Sequence, residues 1–572
     1  MTNIIKRNKR VLLIVIACAA ALTAFLPLKA RVQDGWRIAD LPPLADQAQP
    51  VHPKLDGALN RVYNLYLAKG LSGAKEIVAQ RGMIDMEGDM IRAVAVGRTR
   101  GLMAGDFGVA RIKSDILRLG GRVETSYNEL VQCLIPINAL AAIADLPEIE
   151  LLRLPLKPRP LAVTSEGVAK TGADTWQSVN PYRTPGEVKV CILDLAFKDY
   201  QSLASAGELP SSVTARSFRS DGLIEGPSSW DNETRVHGAA CAEIVHDMAP
   251  DAKLYLVNFG TEVEHHSAVD WLINTAKVNV ISYSVGWTNA GDGKGTGPIN
   301  EDVKKASQAG IIWVSASGNY AEDHWEGTFN DTDNDGWHNF LGSDEILGWY
   351  VPAYYYVAAW LSWDDFGTWG GTDYSGSNQN YDLYLYKWSG TKWDLQDFSE
   401  YVQNGNDWPT EAVGYNYSSS STYWGIAIKK KSATRNCKFD LFTMGNTKAI
   451  EYNVPGGSLC SPADSVEAVT VGATDWSTDA YHSYSSRGPT NDDRIKPDFS
   501  APAGVSTESY GALNFYGTSA STPHVAGAFA LLKGKLPYSL AQINTILQGR
   551  ALDLGTAGKD NQFGIGRLKL TK

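Results

Sequence analysis

Three residue types that together can activate a serine stand at separate points of the sequence: Asp194, His237 and Ser519. A serine hydroxyl is a weak nucleophile until a base removes its proton, and imidazole is the natural base near neutral pH. The imidazole in turn needs a carboxylate that fixes its tautomer and stabilises its cation. The three residue types therefore predict a hydrolase that uses a nucleophilic serine.

The segments around these residues predict an α/β fold. The predicted strands are Val188–Leu193, Lys253–Phe259, Val278–Ser284 and Ile311–Ser315, and the predicted helices are Gly238–His246, Glu264–Lys277 and Ile299–Gln308. This alternation is typical of a parallel sheet with helices on both faces. Asp194 directly follows the first strand, and the carboxyl ends of strands carry the sites of α/β proteins. Pro523, expected in a first helical turn, predicts that Ser519 lies at a helix N-terminus.

Longer motifs around the same residues resemble those of the subtilase family. The segment Gly517–Gly527 resembles the serine motif of the family, His237-Gly238 its histidine motif and Ile192-Leu193-Asp194 its aspartate motif. The resemblance covers about residues 165 to 324 and 459 to 569. One departure is Ala196, which stands where the family usually has glycine, so the backbone geometry at this point is in question.

The resemblance implies a subtilisin-like fold and an exported serine endopeptidase. Peptide bonds would be hydrolysed through an acyl-enzyme on Ser519, with His237 as general base and acid and Asp194 orienting the imidazole. The resemblance assigns Asn319, in Ser317-Gly318-Asn319, to the oxyanion hole together with the Ser519 backbone N–H. No cofactor is expected for this catalysis.

The resemblance also implies where a polypeptide substrate would bind. Ser284, Val285 and Gly286 resemble the strand on which the family binds the substrate backbone, as an added β-strand. The expected partners are therefore protein or peptide substrates. Cys241 lies one helical turn after His237, and we expect it to be a buried thiol beneath the site.

The N-terminus predicts export. Basic residues between Lys6 and Arg10 precede the apolar run Val11–Leu28, which is the pattern of a signal peptide. Residues 1–30 are interpreted as this signal, which indicates a secreted or envelope-associated protein. Two alternatives stay open: an uncleaved membrane anchor, and lipid attachment at Cys18. Membrane contact is expected only in those two cases.

Residues of about 90–154 have the order β-α-β-β-α-β, which predicts a ferredoxin-like unit, and Pro155, Pro158 and Pro160 then indicate a linker. This segment resembles subtilase propeptides. Residues 31–160 are therefore interpreted as a self-processing propeptide that inhibits its own active site, and residues 161–324 and 459–572 as the catalytic domain. The alternative is a permanent structural lobe.

Residues 325–458 are rich in Trp, Tyr, Gly, Ser and Asp, and short alternating runs predict an all-β module inserted into the α/β domain. Its aromatic residues either form the core of a β-sandwich or bind substrate or carbohydrate. A rival function follows from the second possibility. The chain could be a catalytically silent extracellular binding protein in which this module is the functional part.

One acidic segment of the insert resembles half of a calcium loop. Asp331, Asp333 and Asp335 alternate as hard oxygen ligands would, but Gly342 occupies the twelfth position, where a glutamate is expected. The segment is either a structural Ca²⁺ site or an acidic turn.

The net charge and the cysteine content limit the classes of partner and of scaffold that fit this chain. The net charge of −11 and the lack of a basic run beyond the N-terminus exclude nucleic acid as the main partner. Six cysteines are too few for a disulfide-dense scaffold. Cys437 and Cys460 either form a disulfide or are free buried thiols.

Overall fold

The computed structural model describes residues 52–80, 86–97, 106–127, 129–154, 163–178, 187–371, 374–405, 407–415 and 420–571. The chain forms two compact units that divide between Lys157 and Pro158. The predicted signal peptide and the proline-rich segment 155–160 lie outside the described residues. Within the described ranges, no helix combines the length and the apolar character needed to cross a bilayer.

The first unit is an antiparallel sheet with helices packed on it. Its elements are α1 Gly57–Gln80, β1 Met86–Glu87, β2 Met90–Gly97, α2 Asp106–Arg118, β3 Arg122–Tyr127, β4 Leu130–Pro136, α3 Leu140–Ala144 and β5 Ile149–Arg153. β4 pairs with β2 and β3, while β5 pairs with the other edge of β2. Ile112 and Ile116, one turn apart on α2, are fully buried. The unit has the ferredoxin-like order that the sequence predicted.

The second unit contains the remaining elements. Its helices are α4 Glu166–Thr171, α5 Ala173–Ser178, α6 Tyr200–Ala206, α7 Asn232–Met248, α8 Glu262–Trp271, α9 Pro298–Gln308, α10 Thr518–Lys535 and α11 Leu540–Gln548. Its strands are β6 Lys189–Asp194, β7 Thr214–Ser217, β8 Lys253–Asn258, β9 Val280–Tyr283, β10 Ile312–Ala316, β11 His324–Thr328, β12 Leu347–Val351, β13 Val357–Trp363, β14 Tyr381–Trp388, β15 Trp393–Ser399, β16 Thr410–Tyr415, β17 Thr422–Lys430, β18 Lys438–Met444, β19 Val469–Asp475, β20 Phe499–Ala503, β21 Val505–Thr507 and β22 Gly511–Phe515.

Seven of these strands form one parallel sheet in the order β20-β19-β10-β9-β6-β8-β7. Side chains of β6 alternate between its two faces, as the pleat of a strand requires. Val190 and Ile192 join the core that contains α7 and α10. Cys191 and Leu193 join a separate core with α8 and α9. The sheet is therefore covered by helices on both faces, which is the fold class expected from the sequence.

Between β10 and β19 the chain forms two antiparallel four-stranded sheets, β11-β18-β13-β16 and β12-β17-β14-β15. One hydrophobic core joins the two sheets, and its largest fully buried side chains are those of Trp349, Trp363, Trp424, Tyr381 and Phe439. Many aromatic residues of this segment therefore serve as sandwich core, because large rings supply most of the apolar area that these short strands can bury.

Candidate active site

Asp194 ends β6, in the middle of the parallel sheet, and its side chain is completely buried. His237 Nδ1 lies 2.9 Å from Oδ1 and 3.0 Å from Oδ2 of this carboxylate. Oδ1 also accepts a hydrogen bond of 2.7 Å from the Leu195 backbone N–H. An imidazole held in this way by a buried carboxylate carries its proton on Nδ1 and presents Nε2 as the basic nitrogen.

The helix that carries His237 approaches the end of β6 closely. A Cβ atom on Gly238 would lie 2.6 Å from the Ala196 carbonyl oxygen and 2.9 Å from Asp194 Cβ, so only glycine fits there. Ala196, the departure from the family pattern, is fully buried and does not adopt a positive φ. Its methyl group faces Gly226, which has no side chain to collide with it. An alanine is therefore compatible with the local backbone.

Opposing effects act on the pKa of His237. Burial lowers the pKa, while the charge of Asp194 and its hydrogen bond raise it, and the raising effects prevail. The imidazole therefore holds a proton more firmly than an ordinary histidine. Its side chain stays 22% exposed, so substrate can reach it.

Ser519 is the second residue of α10, and the helix begins directly after Gly517, whose φ of 87° favours glycine. Pro523 lies inside the helix rather than in its first turn, so the expected position of this proline is wrong. Pro523 has no N–H to donate to the Ser519 carbonyl four residues earlier. That carbonyl instead accepts hydrogen bonds from Ser284 Oγ at 3.2 Å and Cys241 Sγ at 3.5 Å.

The Ser519 hydroxyl and the imidazole are not yet hydrogen-bonded in the structure. Ser519 Oγ instead donates to the Ser284 carbonyl oxygen at 3.3 Å. Ser519 and His237 nevertheless line the same cleft. Cys241 is fully buried behind the serine, and burial raises the pKa of its thiol well above the usual value. A buried, protonated thiol is not a competing nucleophile.

The Asn319 side chain is anchored at one end. Its Oδ1 accepts hydrogen bonds from Thr518 N at 2.9 Å and Thr518 Oγ1 at 3.1 Å. This fixes the amide orientation, because Oδ1 can only accept hydrogen bonds and Nδ2 can only donate them. Nδ2 lies on the side of Gly517, and the residue lines the same cleft as Ser519.

The cleft has a volume of about 730 Å³. Ser284, Val285 and Gly286, which the resemblance assigns to substrate binding, form part of its wall and directly follow β9. The inserted module contributes a further part of the wall, which the sequence did not predict. The residues from the module are Tyr355, Tyr356, Thr443, Met444, Gly445 and Asn446. They follow β12 or end β18, and no motif distinguishes them from other aromatic and polar turns.

Cys460 lies at the base of the cleft, where its Sγ atom would be 2.3 Å from a Cβ on Gly286. Cys437 is instead part of the core of the inserted module. All five cysteines that the structure describes are free, buried thiols, so the disulfide alternative for Cys437 and Cys460 is wrong. Their proximity in the sequence suggested a disulfide, but Cys437 lies in the core of the inserted module and Cys460 lies beside Gly286 in the cleft.

Asp331, Asp333 and Asp335 lie together in one turn, with ligand oxygens within 4.8 Å of one another. Asp331 also accepts backbone hydrogen bonds from the turn, including those from Asn334 at 2.7 Å and Gly336 at 3.0 Å. The turn is thus built around one carboxylate, while three carboxylates remain close enough to share a hard cation.

A fourth carboxylate, from Glu345, lies near these three. Burial raises the pKa of Glu345, and the charges of Asp335, Asp333 and Asp331 raise it further. Glu345 comes three residues after Gly342, outside the spacing of a standard calcium loop, so motif matching could not find it. The residues present fit a structural Ca²⁺ ion, because the set consists of hard oxygen donors.

Comparison with known proteins agrees with this architecture. The sequence profile of the Subtilase family matches residues 186–338 and 370–566. Minor extracellular protease Epr of Bacillus subtilis is 37% identical over 131 residues, which cover 22% of this chain and 18% of that protein. Subtilisin Savinase of Lederbergia lenta is 38% identical over 119 residues, 21% of this chain and 42% of the relative. The chain thus spans less than half of either relative.

Similar solved structures include the CspB protease of Clostridium perfringens, which is 17% identical to this chain with a TM-score of 0.46. The superposition covers 71% of this chain and 97% of the CspB chain. The family profile alone accounts for more than half of the residues, in the two α/β segments and part of the insert. This chain belongs to the subtilase family.

Proposed function

We propose that the protein is an exported serine endopeptidase that acts through an acyl-enzyme on Ser519. The observation that carries the proposal is the buried Asp194 carboxylate on His237 Nδ1, in a cleft that the Ser519 side chain also lines. The curated relatives include extracellular proteases, which supports the expected export.

The residues assigned to catalysis act in the following order. The Ser519 hydroxyl leaves the Ser284 carbonyl, gives its proton to His237 Nε2 and attacks the scissile carbonyl carbon. Asp194 stabilises the resulting imidazolium. The negative oxygen of the tetrahedral intermediate accepts hydrogen bonds from Asn319 Nδ2 and the Ser519 backbone N–H. His237 then protonates the leaving amine, the C–N bond breaks, and water later hydrolyses the ester by the same route.

The substrate backbone has a place beside the serine. Ser284, Val285 and Gly286 line the cleft and continue from β9, so an extended peptide can pair with them as an additional strand. This pairing would align the scissile carbonyl with Ser519 and would depend little on the substrate sequence.

Labelling with a fluorophosphonate tests the proposed activity directly. We expect the wild-type protein to be modified at Ser519, because only an activated serine reacts at a useful rate. Ser519→Ala should not be labelled. An unlabelled wild-type protein would contradict the proposal and favour the silent binding protein with a functional β module.

The Asn319 assignment makes a kinetic prediction. Asn319→Leu should lower kcat about 10²–10³-fold and leave KM nearly unchanged, because the oxyanion exists only in the transition state. The measurement is steady-state hydrolysis of a peptide substrate. Asn436→Leu, at an exposed position of the inserted module, is the control. A wild-type kcat for Asn319→Leu would remove this residue from the mechanism.

We further propose that residues 31–160 are a propeptide that the enzyme removes itself and that inhibits the active site beforehand. The separate compact unit and its ferredoxin-like sheet support this assignment. A prodomain with its own core can fold before the catalytic domain and then be discarded as a whole.

We also propose that Asp331, Asp333 and Asp335 bind a structural Ca²⁺ ion. Ca²⁺ at a hundredfold excess over its Kd should add about 2.7 kcal/mol to the free energy of unfolding and raise Tm by several degrees. EDTA should reverse the gain. The double variant Asp333→Ala and Asp335→Ala should lose it, whereas Asp394→Ala, at a half-buried position outside the acidic turn, should keep it. No effect of EDTA on unfolding would exclude the ion.

A further inference from the structure

The cleft beside Ser519 carries negative charge without any positive side chain to balance it. Asp231, Glu233 and Asp323 line it, and no lysine or arginine does so in the described part of the chain. Asp231 caps the helix of His237, where its charge is already used by the backbone N–H and hydroxyl of Thr234. Asp323 has no such role at a helix end.

Asp323 lines the same cleft as Ser519 and Asn319. It follows Asn319 by four residues, and its backbone N–H donates to the Tyr320 carbonyl at 2.9 Å, so a tight turn leads to it from the oxyanion residue. Its carboxylate accepts a hydrogen bond from Asn446 Nδ2 of the inserted module. It is half-buried, and its charged neighbour is Glu322.

Burial, together with the like charge of Glu322, raises the pKa of Asp323 to about 7, against the lowering effect of the hydrogen bond from Asn446. This is the situation of a carboxylate that has been desolvated without a cation. A lysine or arginine side chain entering the cleft would supply the missing charge and bind most strongly to the ionised form.

The surroundings of Asp323 also favour a long cation. Tyr320 and, from the inserted module, Tyr355 and Tyr356 line the same cleft, and aromatic faces attract ammonium and guanidinium groups. Gly286 and Gly318 pack directly against the Cys460 thiol, because a Cβ atom on either residue would lie 2.3 Å or 3.0 Å from its Sγ atom. The thiol therefore closes the cleft between these two backbone segments, and the tyrosine rings provide the surface for a long side chain.

Resting on the proposed endopeptidase function, we infer that the cleft selects polypeptides with lysine or arginine next to the scissile bond, and that Asp323 is the counter-ion for that side chain. The inserted module would then set specificity, because it supplies both the hydrogen bond that orients Asp323 and two of the tyrosines.

Matched peptides that differ only in the residue before the cleaved bond test this inference. Arginine and lysine peptides should show kcat/KM values at least about tenfold above leucine and phenylalanine peptides. Asp323→Asn should lower the values for the basic peptides about 10–100-fold, the range for hydrogen bonds to charged groups, and should reduce the preference for them accordingly. Glu322→Gln removes the neighbouring charge, which does not line the cleft, and should retain the preference.

A second measurement avoids any effect of the substitution on folding. With the wild-type protein, benzamidine should inhibit competitively, and uncharged benzamide at equal concentration should not. A preference for leucine or phenylalanine peptides overturns the inference, and so does equal inhibition by benzamidine and benzamide. A basic preference that survives in folded Asp323→Asn overturns the assignment of the counter-ion. Fluorophosphonate labelling of Ser519 separates these outcomes from a failure of the proposed activity.

Discussion

Replacing Ser519 by alanine is expected to abolish turnover and to leave the chain uncut. The variant lacks the hydroxyl oxygen on which the proposed acyl-enzyme forms, and removing the nucleophile of a subtilisin-type triad costs on the order of 10⁶-fold in kcat. If processing is autocatalytic, Ser519→Ala should accumulate as the full precursor. The wild type should yield a shorter form whose N-terminus falls between about residues 155 and 166, which sequencing of that terminus would measure.

A neighbouring serine supplies the matched control. Ser521 is fully buried in the same helix, and its hydroxyl donates to the Ala501 carbonyl at 2.8 Å, away from the cleft. Ser521→Ala should lose about 1 kcal/mol of stability and still process itself. Trimming of purified Ser519→Ala at the same bond would show that cleavage is not autocatalytic. A wild-type protein that is active but never trimmed would contradict the propeptide assignment.

The α/β fold could be predicted because its strands are buried on both faces. Such strands are continuous apolar runs, and β6 and β8 begin within one residue of their predicted positions. The ferredoxin-like unit could be predicted equally well, since its signals are local. These are the pair Gly120-Gly121 after α2 and the alternation of apolar and polar residues in β3 and β4. In each case the information that fixes the element lies within the element.

The helix of His237 shows where such signals fail. It was predicted from Gly238, but it begins at Asn232, because the Asp231 side chain caps it and the first turn faces solvent. A polar first turn has no hydrophobic periodicity, so only the cap could have revealed it. The prediction for Pro523 failed because of contacts with other segments of the chain. The expected first-turn position ignored that side-chain donors can replace the missing N–H, as those of Ser284 and Cys241 do.

Contacts between distant segments were beyond sequence reasoning. Glu345 approaches the three aspartates within the loop that joins β11 of one sheet to β12 of the other, and Asn446 reaches Asp323 because β18 pairs with β11. Each of these residues is an ordinary polar loop residue in the sequence. The three residues of the proposed triad could be singled out because each lies in a local motif. The wall that the inserted module adds to the cleft could not be found, because it has none.

Asp194→Asn is expected to lower kcat about 10⁴-fold and to move the acidic limb of the pH profile. An amide in place of the carboxylate loses the charge and favours the wrong tautomer of His237. The general base must be neutral, so kcat/KM of the wild type should rise as the pH passes upward through a His237 pKa above the ordinary value. In the variant, burial acts on that pKa without the opposing carboxylate, and the limb should shift to lower pH. Asp302→Asn is the matched control, because Asp302 is a buried carboxylate bonded to His265 and His266 outside the cleft. It should leave the limb in place, and an unshifted limb in Asp194→Asn would mean that Asp194 does not set the basicity of His237.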